Sequence, residues 1–210
     1  MQLTLPLEEH RFLWATLVVA LLLLMLHVLL HMAVYLDYEV HWLIIQLFDL
    51  DDENNLPTWF SSFLLLSAAI ALHARPGADG GGVASTDMLH FRVLAAGFFL
   101  LSIDEVAGLH ESLNTAIEMN WAIPGAVLVS LVGLWYLPFL IRQPARLRWM
   151  MVLSGSLYVS GAVGVELLSA DMDEDSFHYE LAVAVEERLE MLGVWLFLRT
   201  ILLNRAGVPD

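Results

Sequence analysis

The sequence predicts an all-α integral membrane protein: a single membrane domain, residues 1–210, built as a six-transmembrane-helix bundle with both termini cytoplasmic. Three observations carry this reading. The chain is 59% hydrophobic and 16% charged, far more apolar than a soluble domain. Several apolar runs approach the ~20 residues that cross a hydrocarbon layer ~30 Å thick. The cations, all arginine, gather in alternate connections while the other connections are acidic.

The first helix is expected over Phe12 to Leu36. Its apolar run exceeds a signal-peptide core of about 7–15 residues and no small-x-small cleavage pattern follows, so it reads as retained. Trp42 to Phe48 is apolar but too short to span, and is expected at the interface or folded back into the bundle. The second helix, Pro57 to Ala74, has its proline in the first turn, where a missing N–H is harmless. Pro76 to Gly82 reads as a flexible linker. The remaining helices are expected over Met88 to Glu111, Trp121 to Ile141, Trp149 to Ser169 and Glu180 to Leu203. Arg75, Arg92, Arg142, Arg146, Arg148, Arg199 and Arg205 fall at one set of helix ends. Leu36 to Leu56 and Leu168 to Glu180 carry acids and no arginine. The positive-inside bias then makes this a multi-pass cell-membrane protein, of a bacterial or archaeal inner-membrane kind, with the acidic loops on the extracytoplasmic side.

Two acidic stretches must enter the membrane. Val93 to Ile103 and Met191 to Leu203 are each well short of ~20 residues, so their helices have to include Asp104 and Glu105, and Glu186, Glu187 and Glu190. Glu166 lies near the outer end of the fifth helix, and His27 and His31 lie in the outer half of the first. At 100° per residue Asp104, Gly108 and Glu111 share a face of one continuous helix, with His110 beside it. Glu186 and Glu190 share another, and Arg188 points away. His27 and His31 are four residues apart, a spacing that lets two imidazoles bind one metal. A carboxylate at the bilayer centre costs ~2.5–3.5 kcal/mol even on a lenient scale, so a surplus of acids calls for protons, bound cations or water.

These residues predict a divalent-metal site with Asp104, His110, Glu111, Glu166, Glu187, Glu190, His27 and His31 as ligands, and Glu105 and Glu186 as catalytic acid–base groups. Glu and His without any cysteine suit zinc, manganese or iron. Asp171-x-Asp173-x-Asp175 begins like a calcium loop but has Ser176 and Ala182 where glycine and glutamate are required, and Asp49 to Glu53 fails in the same way. Phosphate-binding glycine loops, a His-Glu-x-x-His motif and a Gly-x-Ser-x-Gly elbow are absent.

Glu53-Asn54 followed by Ser61, together with intramembrane acids and histidines, loosely resembles the membrane metal hydrolases of the alkaline-ceramidase and adiponectin-receptor kind. Those carry a His-x-x-x-His pair on their last helix. Here that pair is on the first helix and the last carries glutamates, so no residue role is carried over.

The expected function is a metal-dependent membrane enzyme, of hydrolase or oxidase type, acting on a lipid or other amphiphile. An alternative use of the same carboxylates is transit of divalent cations or protons through a transporter or channel. A third is an accessory subunit of a membrane complex. The net charge of −15 argues against nucleic acid. Oligomeric state has no signature in the sequence.

Overall fold

The computed structural model describes residues 7–74 and 85–205. They form helices and turns, with no strand among the described residues. In chain order the helices are α1 (Leu7–Tyr35), α2 (Trp42–Phe48), α3 (Leu56–His73), α4 (Ser85–Ala107), α5 (Leu109–Ile117), α6 (Ala122–Arg142), α7 (Ala145–Ser169) and α8 (Phe177–Arg205). Four of them, α1, α3, α6 and α7, are long and apolar enough to cross a membrane. The acid-bearing helices α4 and α8, at 23 and 29 residues, have the length but are not among those four. Arg75 and the linker Pro76 to Gly82 lie outside the described residues.

The axis of the bundle is α8, which packs against α1, α3 and α7. Met191, Val194, Leu198 and Ile201 are buried along it at i, i+3, i+7 and i+10, the spacing of one helix face. Leu64, Leu65, Ala68 and Leu72 are among the buried residues of α3. Serines join α3 to α4: Ser62 Oγ donates to the Ser102 carbonyl at 2.7 Å, and Ser102 Oγ to the Ser62 carbonyl at 3.0 Å. Small side chains with reciprocal bonds let two apolar helices approach closely. By contrast α6 leaves Leu128, Leu131, Leu134 and Leu137 exposed, an apolar surface of the kind that lipid covers. α2 buries none of its residues fully and meets the core only at its edge, where Phe48 packs against it.

Between α7 and α8 the backbones meet at glycines. A π-helical turn, Ser160–Val165, interrupts α7 and contains Gly161. A Cβ there would lie 2.6 Å from the Glu186 carbonyl oxygen, and one at Gly193 would lie 2.7 Å from the Tyr158 nitrogen. The π turn thus seats α7 directly on the acidic part of α8.

The expected third helix, Met88 to Glu111, needs correction. α4 ends at Ala107, Gly108 adopts the left-handed conformation (φ 56°, ψ 39°), and α5 begins anew. Glycine takes that conformation without a Cβ penalty, and a Cβ at Gly108 would strike the Glu53 carboxylate. Asp104 and Glu111 therefore do not share a face of one helix. The side chain of Glu111 falls outside the described part of the structure. At the other helix ends the shifts are small: α8 starts at Phe177 because Ser176 Oγ accepts the Tyr179 N–H and caps it.

Candidate metal centre

One turn of α1 separates His27 from His31, and their rings sit together with centroids 4.4 Å apart. Two carboxylates close on the pair. Asp49 arrives from the loop after α2, and Glu180 from the first turn of α8. Asp49 Oδ1 lies 3.4 Å from His27 Nδ1, and its Oδ2 lies 3.3 Å from His31 Nε2. Glu180 Oε2 lies 3.5 Å from His27 Nε2, and its Oε1 lies 3.0 Å from His31 Nδ1. The side chains are 0%, 13%, 13% and 18% exposed for His27, His31, Asp49 and Glu180. Each of the four offers a ligand atom within 4.8 Å of the others, so together they could hold a metal ion.

The loop is held in place by Asn55, which is buried. Its Nδ2 donates to the carbonyls of Gln46 (3.2 Å), Asp49 (2.6 Å) and Asp52 (2.8 Å), while its Oδ1 accepts the Thr58 N–H at 3.1 Å and caps α3. One amide therefore fixes both the start of α3 and the place of Asp49.

The two histidines are not equivalent. His27 Nδ1 accepts the Leu50 N–H at 3.1 Å, which leaves the ring proton on Nε2, 3.3 Å from the Glu180 carbonyl oxygen. Backbone groups thus occupy both of its nitrogens, and an ion at His27 has to displace one of them. His31 Nε2 and Glu180 Oε2, by contrast, are buried and make no hydrogen bond. Buried polar atoms are nearly always satisfied, so these two, side by side with Asp49, mark where a ligand would add most.

Electrostatics single out Asp49 among the loop acids. Burial alone would raise its carboxyl, but the facing His27 and His31 rings outweigh that and hold it below the ordinary carboxylate range. Asp51 moves the other way: partial burial, with the charges of Asp49 and Glu180, pushes it up to about 6 despite the hydrogen bond from Tyr179. Asp52 is also raised, by burial first and then by Asp49 and Glu180.

A second polar constellation lies where α4, α7 and α8 meet. Asp104 caps α5: its Oδ1 accepts the His110 N–H at 3.1 Å and its Oδ2 lies 3.1 Å from His110 Nδ1. Asn120 Nδ2 donates to Glu166 Oε1 at 2.9 Å. Ser61 is within hydrogen-bonding reach of Glu105, and Tyr158 of Glu190. Glu105, Glu186, Glu187 and Glu190 stand within electrostatic reach of one another. Arg188 is exposed and turned away, as the helical spacing requires. Of the expected ligands, the structure brings His27 and His31 into the first group and gathers Asp104, His110, Glu166, Glu187 and Glu190 around the second.

Residues 13–204 match the profile of a family described as Domain of unknown function (DUF8692). The chain belongs to the DUF8692 family. No curated protein and no solved structure matches it. The DUF8692 match spans both constellations, from His27 to Glu190, so they belong to one family domain. Sequence reasoning overlooked Asp49 and Glu180. Asp49 is one of four acids in the run Asp49 to Glu53, and only the pin at Asn55 shows which one turns toward α1. Glu180 carried a usable signal, since it lies seven residues, two helical turns, before Glu187 on the same face of α8.

Proposed function

We propose that the protein is an integral membrane metalloprotein, with one divalent zinc, manganese or iron ion held by His31, Asp49 and Glu180, and by His27 once a backbone bond is released. The observation that carries this reading is the convergence of two imidazoles and two carboxylates within 4.8 Å, with His31 Nε2 and Glu180 Oε2 buried and without hydrogen bonds. Mixed nitrogen and oxygen donors suit those metals better than magnesium or calcium. Three committed protein ligands and one displaceable one describe a site that can also bind a reacting group. When bound, such an ion supplies Lewis acidity and an activated water or oxygen.

The finer reading is an enzyme of hydrolase or oxidase type acting on a lipid or other amphiphile. Its support is the run of carboxylates that continues along α8 from Glu180 to Glu186 and Glu187, the latter ~10 Å from Glu180 at 1.5 Å per residue. Glu186 and Glu105 serve there as proton donors and acceptors. The apolar outer surfaces of α1 and α6 support the reading as a multi-pass membrane protein. The arginine bias of the sequence supports an extracytoplasmic side of a cell membrane for the site. Elemental analysis of extensively washed, purified protein is expected to return about one such ion per chain. Metal-free protein of unchanged stability ends this reading.

A further inference from the structure

At the opposite end of α8 from Glu180, a half-open cleft of about 50 Å³ lies between the start of α7 and the end of α8. Arg146, Leu147, Met150, Arg199, Thr200, Leu203 and Asn204 line it, with no carboxylate among the described residues that do. We propose that this cleft is a binding site for a phosphate-bearing anion, seated between the Arg146 and Arg199 guanidinium groups.

Charge is the first argument. The chain has 24 acids and 9 arginines, so an arginine has many possible partners. Arg142 takes one, bonding Asp87 at 2.9 Å, and Arg11 lies 3.7 Å from Glu8. Arg146 and Arg199 form no ion pair among the described residues, and they converge on one cleft from two helices. Arginine's planar fork of donors matches phosphate oxygens, and two forks from separate elements can clamp one group.

Helix geometry adds a second, independent argument. α7 begins inside the cleft wall with Pro144 as its N-cap, without a side-chain cap and without an acid in its first turn. The positive end of its dipole therefore adds, uncompensated, to the charge of Arg146 beside it. Most long helices place a Ser, Thr, Asp or Asn at that position.

The lining fixes the class of ligand. Leu147, Met150 and Leu203 form an apolar floor that runs into α7 and α8, and α7 is one of the helices able to cross a membrane. A basic pocket at the end of membrane helices, polar at its mouth and apolar below, fits the phosphate of an anionic lipid with its acyl chains on the helix surface. A soluble phosphate ester shares the same chemistry at the mouth.

The test uses the full chain in detergent, with native mass spectrometry for lipid retention and calorimetry for inorganic phosphate. Phosphatidylglycerol is compared with diacylglycerol, which has the same tails and no phosphate. The expected result is retention of phosphatidylglycerol over diacylglycerol. In Arg146→Gln/Arg199→Gln, retention falls roughly 30-fold, about 2 kcal/mol for two arginines near a membrane surface. Arg148→Gln is the control, because that guanidinium donates to the Ile141 carbonyl and lies outside the cleft lining. Lipid retention that inorganic phosphate does not displace identifies a lipid headgroup. Phosphate binding by itself, lost in the double variant, identifies a soluble phosphate. Either supports the site. Equal retention of the two lipids with no phosphate binding, or equal loss in Arg148→Gln, overturns it. Unchanged helicity and metal content in the double variant separate loss of the cleft from loss of the fold.

Discussion

The two polar constellations balance their charge in different ways. Around His27 and His31 each imidazole faces both carboxylates, in a closed ring of two and two. Around Glu105, Glu187 and Glu190 like charges face one another, with Ser61 and Tyr158 as hydrogen-bonding neighbours and Arg188 turned outward. One divalent ion among neutral imidazoles would balance the two carboxylates of the first ring. The second relieves its repulsion by taking up protons or admitting water. Nitrogen and oxygen donors together favour a transition metal, whereas crowded carboxylates favour proton exchange. On the proposed function, a metal would sit in the first constellation and acid–base chemistry would fall to the second.

The sharpest way to break that division is to delete one member from each side. His31→Ala and Asp49→Ala are expected to reduce bound metal to near background, while Glu187→Gln and Glu190→Gln keep it. Metal analysis of the four proteins, purified side by side, decides this. Loss confined to the two glutamine variants would exchange the roles of the constellations.

Next in size is the pin beneath the first constellation. Asn55→Ala removes three donated bonds and the cap of α3, and is expected to destabilise the protein by roughly 2–3 kcal/mol, measured by reversible unfolding in mixed micelles. Asn55→Asp retains the acceptor for the Thr58 N–H and is expected to recover only the cap's share, about 1 kcal/mol. Full stability in Asn55→Ala would mean that the loop carrying Asp49 is held by something else.

The most graded effect, small at each step, is with pH. An imidazole ligates only when neutral, so metal affinity is expected to weaken as pH falls, by up to about tenfold per unit once histidine protonates. Asp49 lies below the ordinary carboxylate range and stays ionised throughout, so the loss follows histidine and not carboxylate titration. Metal titrations between about pH 5 and 8 measure this. A flat affinity over that interval would remove the imidazoles from the site.

How far the sequence discloses these two regions depends on whether a feature is local. The His27–His31 pair was legible because four residues on a helix place two side chains on one face whatever the rest of the chain does. The outward turn of Arg188 was legible for the same reason. Asp49 was not, because its position comes from a loop folded over Asn55, and no periodicity reports a loop. The break at Gly108 was misread for a related cause. A glycine within an apolar run continues a helix unless something occupies the space of its Cβ, and here that is Glu53, distant in sequence. Helix composition likewise supports membrane spans at α1, α3, α6 and α7, while the acids that make α4 and α8 interesting also weaken their apolar signal.

The central claim is that the metal sits among imidazoles, and X-ray absorption at the metal edge tests it most directly. The account predicts a nitrogen–oxygen first shell with the outer-shell scattering of one or two histidine rings, at metal–ligand distances near 2.0–2.2 Å. That scattering should disappear in His31→Ala. A first shell of oxygen alone, without histidine scattering and unchanged in His31→Ala, would place the ion among the glutamates and contradict it.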